Sequence, residues 1–69
     1  MEYHFKEHAL ERVADRKIER SEIKNVVAKG QKWFSHADGR WHAKMSGIEV
    51  VFEKREVGVV LITTCFFEK

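Results

Sequence analysis

The chain reads as an α+β domain, with two N-terminal helices packed on one face of a four-stranded antiparallel meander sheet. Three observations predict it. Apolar residues recur at helical spacing as far as Gly30, the period drops to two beyond it, and the turn pairs Asp38-Gly39 and Ser46-Gly47 divide the rest of the chain into strands. Its 69 residues leave room for one domain, spanning 1–69. A chain this short buries only about 60% of the surface that its unfolded form exposes. A shallow cleft on the sheet or beside a helix is therefore the expected kind of site, and no cofactor is expected.

The first helix is expected over residues 6–16, after Tyr3, His4 and Phe5, which read equally as an extended lead-in or as its first turn. On a wheel of about 100° per residue, Ala9, Leu10, Val13 and Ala14 share one arc. His8, Glu11, Arg12, Asp15 and Arg16 fall opposite. Ile18 plugs the corner before the second helix. Ser21 is the expected N-cap of that helix and Glu22 suits its positive end. Ile23, Val26 and Val27 form its apolar face, with Lys29 in the last turn and Gly30 as the expected left-handed terminator.

Strands are expected at residues 32–37, 40–45, 48–54 and 59–67, the last rich in β-branched and aromatic residues. Asp38-Gly39 suits a two-residue type I′ turn. A two-residue turn at Ser46-Gly47 sets Met45 opposite Ile48, Lys44 opposite Glu49, Ala43 opposite Val50, His42 opposite Val51, Trp41 opposite Phe52 and Arg40 opposite Glu53. Trp41, Met45, Ile48, Val50 and Phe52 then face the helices. Arg40, His42 and Lys44 face away, joined by Trp33 and Ser35. A four-residue loop over 55–58 turns Thr64 outward and Thr63 inward, and an odd loop swaps them.

Thirteen Lys and Arg against eleven acids leave a net charge of +2, which permits a polyanionic partner without requiring one. Cys65 is the single cysteine, so no internal disulfide forms, and VVLITTCFF around it reads as a buried strand. No run is long and apolar enough to span a membrane, no signal segment is evident, and the cytoplasm is the expected compartment. The four histidines lack a tight ligand spacing, so no metal is expected.

Two polar groups can carry chemistry. On the outer sheet face, Arg40, His42 and Lys44 beside Trp33 and a threonine suit a single-stranded nucleic acid, whose phosphates need cations and whose bases stack. On the first helix, His8 with Arg12 and Arg16 offers an imidazole that titrates near neutrality beside guanidinium groups that clamp phosphate. Each group also has a plain reading. Lys44 and Arg40 can pair with Glu49 and Glu53, and the helix arginines with nearby carboxylates.

HALERVADRKI, followed by Ser21-Glu22-Ile23, DGR, SGIEVVF and VVLITT, resembles a small bacterial and phage family of unknown function allied to RelE-type toxins. That family is similar in layout to the barnase, EndoU, colicin and RelE-like toxin ribonucleases. The resemblance implies metal-independent endoribonuclease chemistry, in which the ribose 2′-OH attacks the adjacent phosphate to give a 2′,3′-cyclic phosphate. It assigns acid or base work to His8, charge stabilisation to Lys44 and Arg12, and positioning of the phosphate to Thr64 (or Thr63). Arg16, Trp33, Arg40 and His42 would hold RNA. It also implies an antitoxin or immunity protein with an acidic surface. A non-catalytic RNA-binding or phage regulatory module using the same basic face is the rival expectation. A third is an interaction domain that docks a protein through 59–67 as an edge strand.

Overall fold

The computed structural model describes residues 2–67, with the side chain of Arg16 outside that description. Chain order is β1 (Glu2–Phe5), α1 (Glu7–Arg16), α2 (Arg20–Lys29), β2 (Gln31–Ser35), β3 (Arg40–Met45), β4 (Ile48–Glu56) and β5 (Val59–Phe67). The α+β class and the two helices stand as expected. The sheet has five strands in the order β1-β5-β4-β3-β2, mixed rather than wholly antiparallel, because β1 runs parallel to β5. Glu2–Phe5 becomes a strand because alternation turns Tyr3 and Phe5 onto the core while Glu2 and His4 stay outside. Its backbone is tied at both ends, Glu2 N–H donating to the Gly58 carbonyl and Lys6 N–H to that of Ile62.

This addition also corrects the edge assignment. Residues 59–62 pair with β1, so Val59–Phe67 is not a free edge, and only 63–67 lack a strand on that side among the described residues.

Both helices lie on one face of the sheet, where Ala9, Ile18, Ile23, Val26 and Val27 meet Ala43, Ile48, Val50, Phe52, Val60, Ile62 and Cys65. The centre of the α1 contact is Ala9, with Val13 beside it. Leu10 and Ala14, expected in the buried arc, are exposed. Taking Ala9 as zero, Val13 lies about 40° to one side and Arg12 about 60° to the other. Arg12 is therefore half-buried at the sheet rather than opposite it, and its charge is felt at Cys65.

Helix ends differ from expectation in instructive ways. The helix α2 starts one residue before Ser21, with the Glu19 carbonyl accepting from Glu22 and Ile23 N–H. Ser21 Oγ only reaches the Glu19 carboxylate at 3.4 Å. The left-handed C-cap belongs to Lys17 of α1 (φ 57°), whereas Gly30 is extended at φ −71°. Glycine is needed at 30 for closeness: a Cβ there would lie 2.5 Å from the Val26 carbonyl oxygen and 2.8 Å from that of Lys44.

The β3–β4 register is the expected one, from Met45 opposite Ile48 to Trp41 opposite Phe52. Ser46 (φ 53°) and Gly47 (φ 78°) both take the positive φ of a type I′ turn. The preceding hairpin differs. Ser35 pairs with Arg40, so residues 36–39 form a four-residue loop, closed by Gly39 N–H to the Ser35 carbonyl and Arg40 N–H to Asp38 Oδ1. Two extra loop residues leave side-chain parity unchanged, so Trp33 still faces out, but opposite His42 rather than opposite Lys44 as the shorter turn would have it. Strand β4 runs on to Glu56, opposite Val59, which leaves a two-residue turn at Val57-Gly58 in place of the four-residue loop.

Two bulges interrupt the β4–β5 ladder. Val51 opposes Thr64 while Phe52 opposes Ile62, so Thr63 is the extra residue. Thr64 therefore faces out as expected. Thr63 does not turn inward cleanly: its hydroxyl donates to the outward Glu53 carboxylate at 3.5 Å.

Candidate nucleic-acid interface

The sheet face turned away from the helices is built from three cross-strand rows. The first carries Gln31, Lys44, Glu49 and Phe66, and the second Trp33, His42, Val51 and Thr64. The third carries Ser35 with Arg40 on one side and Glu53 with Leu61 and His4 on the other. Four of the expected residues for binding or chemistry, Trp33, Arg40, His42 and Lys44, thus share this face with Thr64.

His42 is the fixed point of the face. Its side chain is only 13% exposed, its Nδ1 lies 3.1 Å from Glu49 Oε2 and its Nε2 lies 3.0 Å from Asp38 Oδ2. A carboxylate at hydrogen-bond distance from each ring nitrogen fixes the orientation of the imidazole. Trp33 stacks on this anchored ring, with centroids 5.3 Å apart and planes 15° from parallel, and remains 38% exposed. The tryptophan is held in a defined orientation yet open to solvent.

His42 in turn helps to set the charge of Asp38. Loss of water pushes its carboxyl up, but the Arg40 N–H, the His42 ring and charge, and the Ser35 hydroxyl outweigh this and hold it below the ordinary carboxylate value. Glu53 forms a second acidic centre, with Lys6 Nζ at 3.6 Å, Arg55 at 3.8 Å and the Thr63 hydroxyl. Glu53 thus takes Lys6 and Arg55 as partners, and Glu49 takes His42. The sequence singles out Asp38 only as a turn residue and Glu53 only as a partner of Arg40; the longer loop brings Asp38 to His42, and a bulge brings Thr63 to Glu53.

The helix group is elsewhere. His8 is 58% exposed, and its contact is Glu11 at 3.9 Å across one helical turn. The space beside it is lined by Glu11, Arg12, Ala14 and Asp15, all from α1 itself. Because α1 packs on the covered face, the sheet separates His8 and Arg12 from Lys44 and Thr64. The four expected catalytic residues do not form one constellation. The Arg16 side chain, the third member of the stripe, lies outside the described residues.

Cys65 lies fully buried on the covered face, where loss of water pushes its thiol up despite the charge of Arg12. We expect iodoacetamide to leave it unmodified in buffer and to alkylate it fully in urea, read by intact mass. Rapid labelling of the native protein would show the strand to be open. Among the described residues, no three His, Cys, Asp or Glu side chains are grouped to hold a metal ion, and no helix is long and apolar enough to cross a membrane.

No curated protein and no solved structure matches the chain. One family model does match, over residues 5–66, and by it the chain belongs to the family described as a domain of unknown function (DUF4258).

Proposed function

We propose that the chain is an RNA-binding module that lays a single strand across the uncovered sheet face. The observation that carries this reading is the Trp33 ring, exposed yet fixed by stacking on the doubly anchored His42. A base stacking on an aromatic ring gains about 1–3 kcal/mol, and a pre-oriented ring loses little entropy in doing so. Arg40 and Lys44 lie in the rows on either side of Trp33, where phosphates flanking a stacked base would pass. His42 acts here as a support for Trp33 rather than as a contact of its own.

A second reading, toxin-like endoribonuclease activity as in the RelE-type proteins that the chain resembles, is favoured by Lys44 and Thr64 sharing this face. Against it, the expected base His8 is across the sheet, and the imidazole of this face, His42, has a carboxylate at each ring nitrogen. One assay separates the two readings. A fluorescein-labelled single-stranded RNA is titrated in the presence of a chelator, and its integrity is then read on a denaturing gel.

Trp33→Ala is expected to weaken binding by about 1–3 kcal/mol, roughly 5- to 150-fold. Lys44→Ala should weaken it less and lower the salt dependence, and His8→Ala should leave it unchanged. Wild-type affinity in Trp33→Ala overturns the reading. Cleavage to 2′,3′-cyclic phosphate ends that disappears in Lys44→Ala establishes the enzyme instead.

A further inference from the structure

The covered face holds a second feature that the RNA reading does not use. Where α2 ends, a groove of about 370 Å³ opens between the helix and the sheet, floored by Val27, Phe52 and Val60 and walled by Tyr3 and Ala28. Lys32 and Lys54 stand at its rim, and no carboxylate lines it among the described residues. A third lysine, Lys24, has its ammonium 5.7 Å from the centre of the Tyr3 ring. Across the whole chain the charges nearly balance, so three lysines around one apolar groove are a local excess.

The lysines are held in place. Lys32 Nζ donates to the carbonyls of Ala28 (3.3 Å) and Gly30 (3.1 Å), satisfying the C-terminal end of α2. Lys54 Nζ lies 4.4 Å from the centre of the Trp41 ring. Of the two aromatic residues that line the groove, Tyr3 already carries an ammonium at its ring, and Phe52 is fully buried. A nucleobase finds no exposed ring to stack on among these, whereas an apolar side chain finds an apolar hollow and an anion finds cations. The three ammoniums come from α2, β2 and β4, so they match carboxylates spread along a chain better than a single head group.

We propose that this groove docks an acidic segment of a partner protein, which lays an apolar side chain between Tyr3 and Ala28, over the floor of Val27, Phe52 and Val60, and sets flanking carboxylates against Lys24, Lys32 and Lys54. Charge complementarity of this kind fixes register and speeds encounter. The inference does not depend on the RNA reading, since the two surfaces lie on opposite faces of the sheet.

The test uses the isotope-labelled chain and a synthetic peptide of alternating Glu and Leu, followed by amide chemical shifts. Saturable shifts are expected at Val27, Ala28, Lys32, Lys54 and Val60. The double variant Lys32→Glu with Lys54→Glu should lose about tenfold or more in affinity while keeping a native, well-dispersed spectrum. Trp33→Ala should bind the peptide as the wild type does, which separates this site from the RNA face. Absence of those shifts, equal affinity for a peptide with Gln in place of Glu, or unchanged binding by the double variant overturns the proposal. Saturation of the same amides by dodecanoate when the peptide gives none assigns the groove to a small amphiphile, and by oligouridylate to nucleic acid; either result also overturns it.

Discussion

Replacing Phe52 with Ala is expected to remove about 3–5 kcal/mol of stability, the range for truncating a buried aromatic ring. Phe52 is fully buried and is the largest of the wholly enclosed side chains. It stands between Trp41 on β3 and Ile62 on β5, under the last turns of α2, so no single neighbour can move in to refill its space. A domain of this length holds about 3–10 kcal/mol in total. The variant should therefore be partly or wholly unfolded at room temperature, as read by urea titration of tryptophan fluorescence. A loss of less than about 1 kcal/mol would mean that the core collapses around the gap and is far softer than its packing implies.

Gly30→Ala should cost about 1–3 kcal/mol, the usual range for overpacking, although the backbone at 30 has an ordinary extended conformation. All three atoms closest to the new methyl group belong to the backbone, of Val26 and of Lys44, and so cannot rotate aside. The change must push α2 away from β3. Gly58 provides the contrast. With φ at 80° and open space around it, its restriction is conformational, and Asn tolerates that region. Gly58→Asn is expected to be mild and Gly30→Asn worse than Gly30→Ala, compared by thermal unfolding. Equal costs for Asn at both positions would remove the steric account of Gly30.

How far the fold is legible in the sequence depends on whether local chemistry decides the outcome. The β3–β4 register is legible from Ser46-Gly47, because a turn that tight leaves one alignment. The outward face of Trp33 is legible too, since parity is the same for a two-residue and a four-residue loop, but its neighbour is not: the shorter turn sets it opposite Lys44 and the observed loop opposite His42. The strand Glu2–Phe5 is not legible: four residues are too few to show a period, and their partner begins at Val59. Thr64 faces out as read but not for the reason read: the loop is two residues, and two bulges, neither with a compositional signal, cancel in parity and set it opposite Val51. Arg12 is misplaced by the helical wheel because Leu10 and Ala14 draw the centre of the apolar arc away from Ala9. In the candidate site, the residue types on the outer face are predictable, whereas the anchoring of His42 by Asp38 depends on a loop length set only in the folded chain.

The parallel pairing of β1 with β5 also bears on how the molecule assembles during synthesis. The hairpins and the two helices involve near neighbours in the chain and can form as each segment appears. Strand β5, however, is the floor for α1 and the partner of both β1 and β4. Until residues 59–67 have left the ribosome, the inward faces of Tyr3, Phe5, Ala9 and Val13 have nothing to bury against. A nascent chain halted before Val59 would therefore carry an apolar helix face and an unsatisfied strand together, as a target for chaperones and proteases.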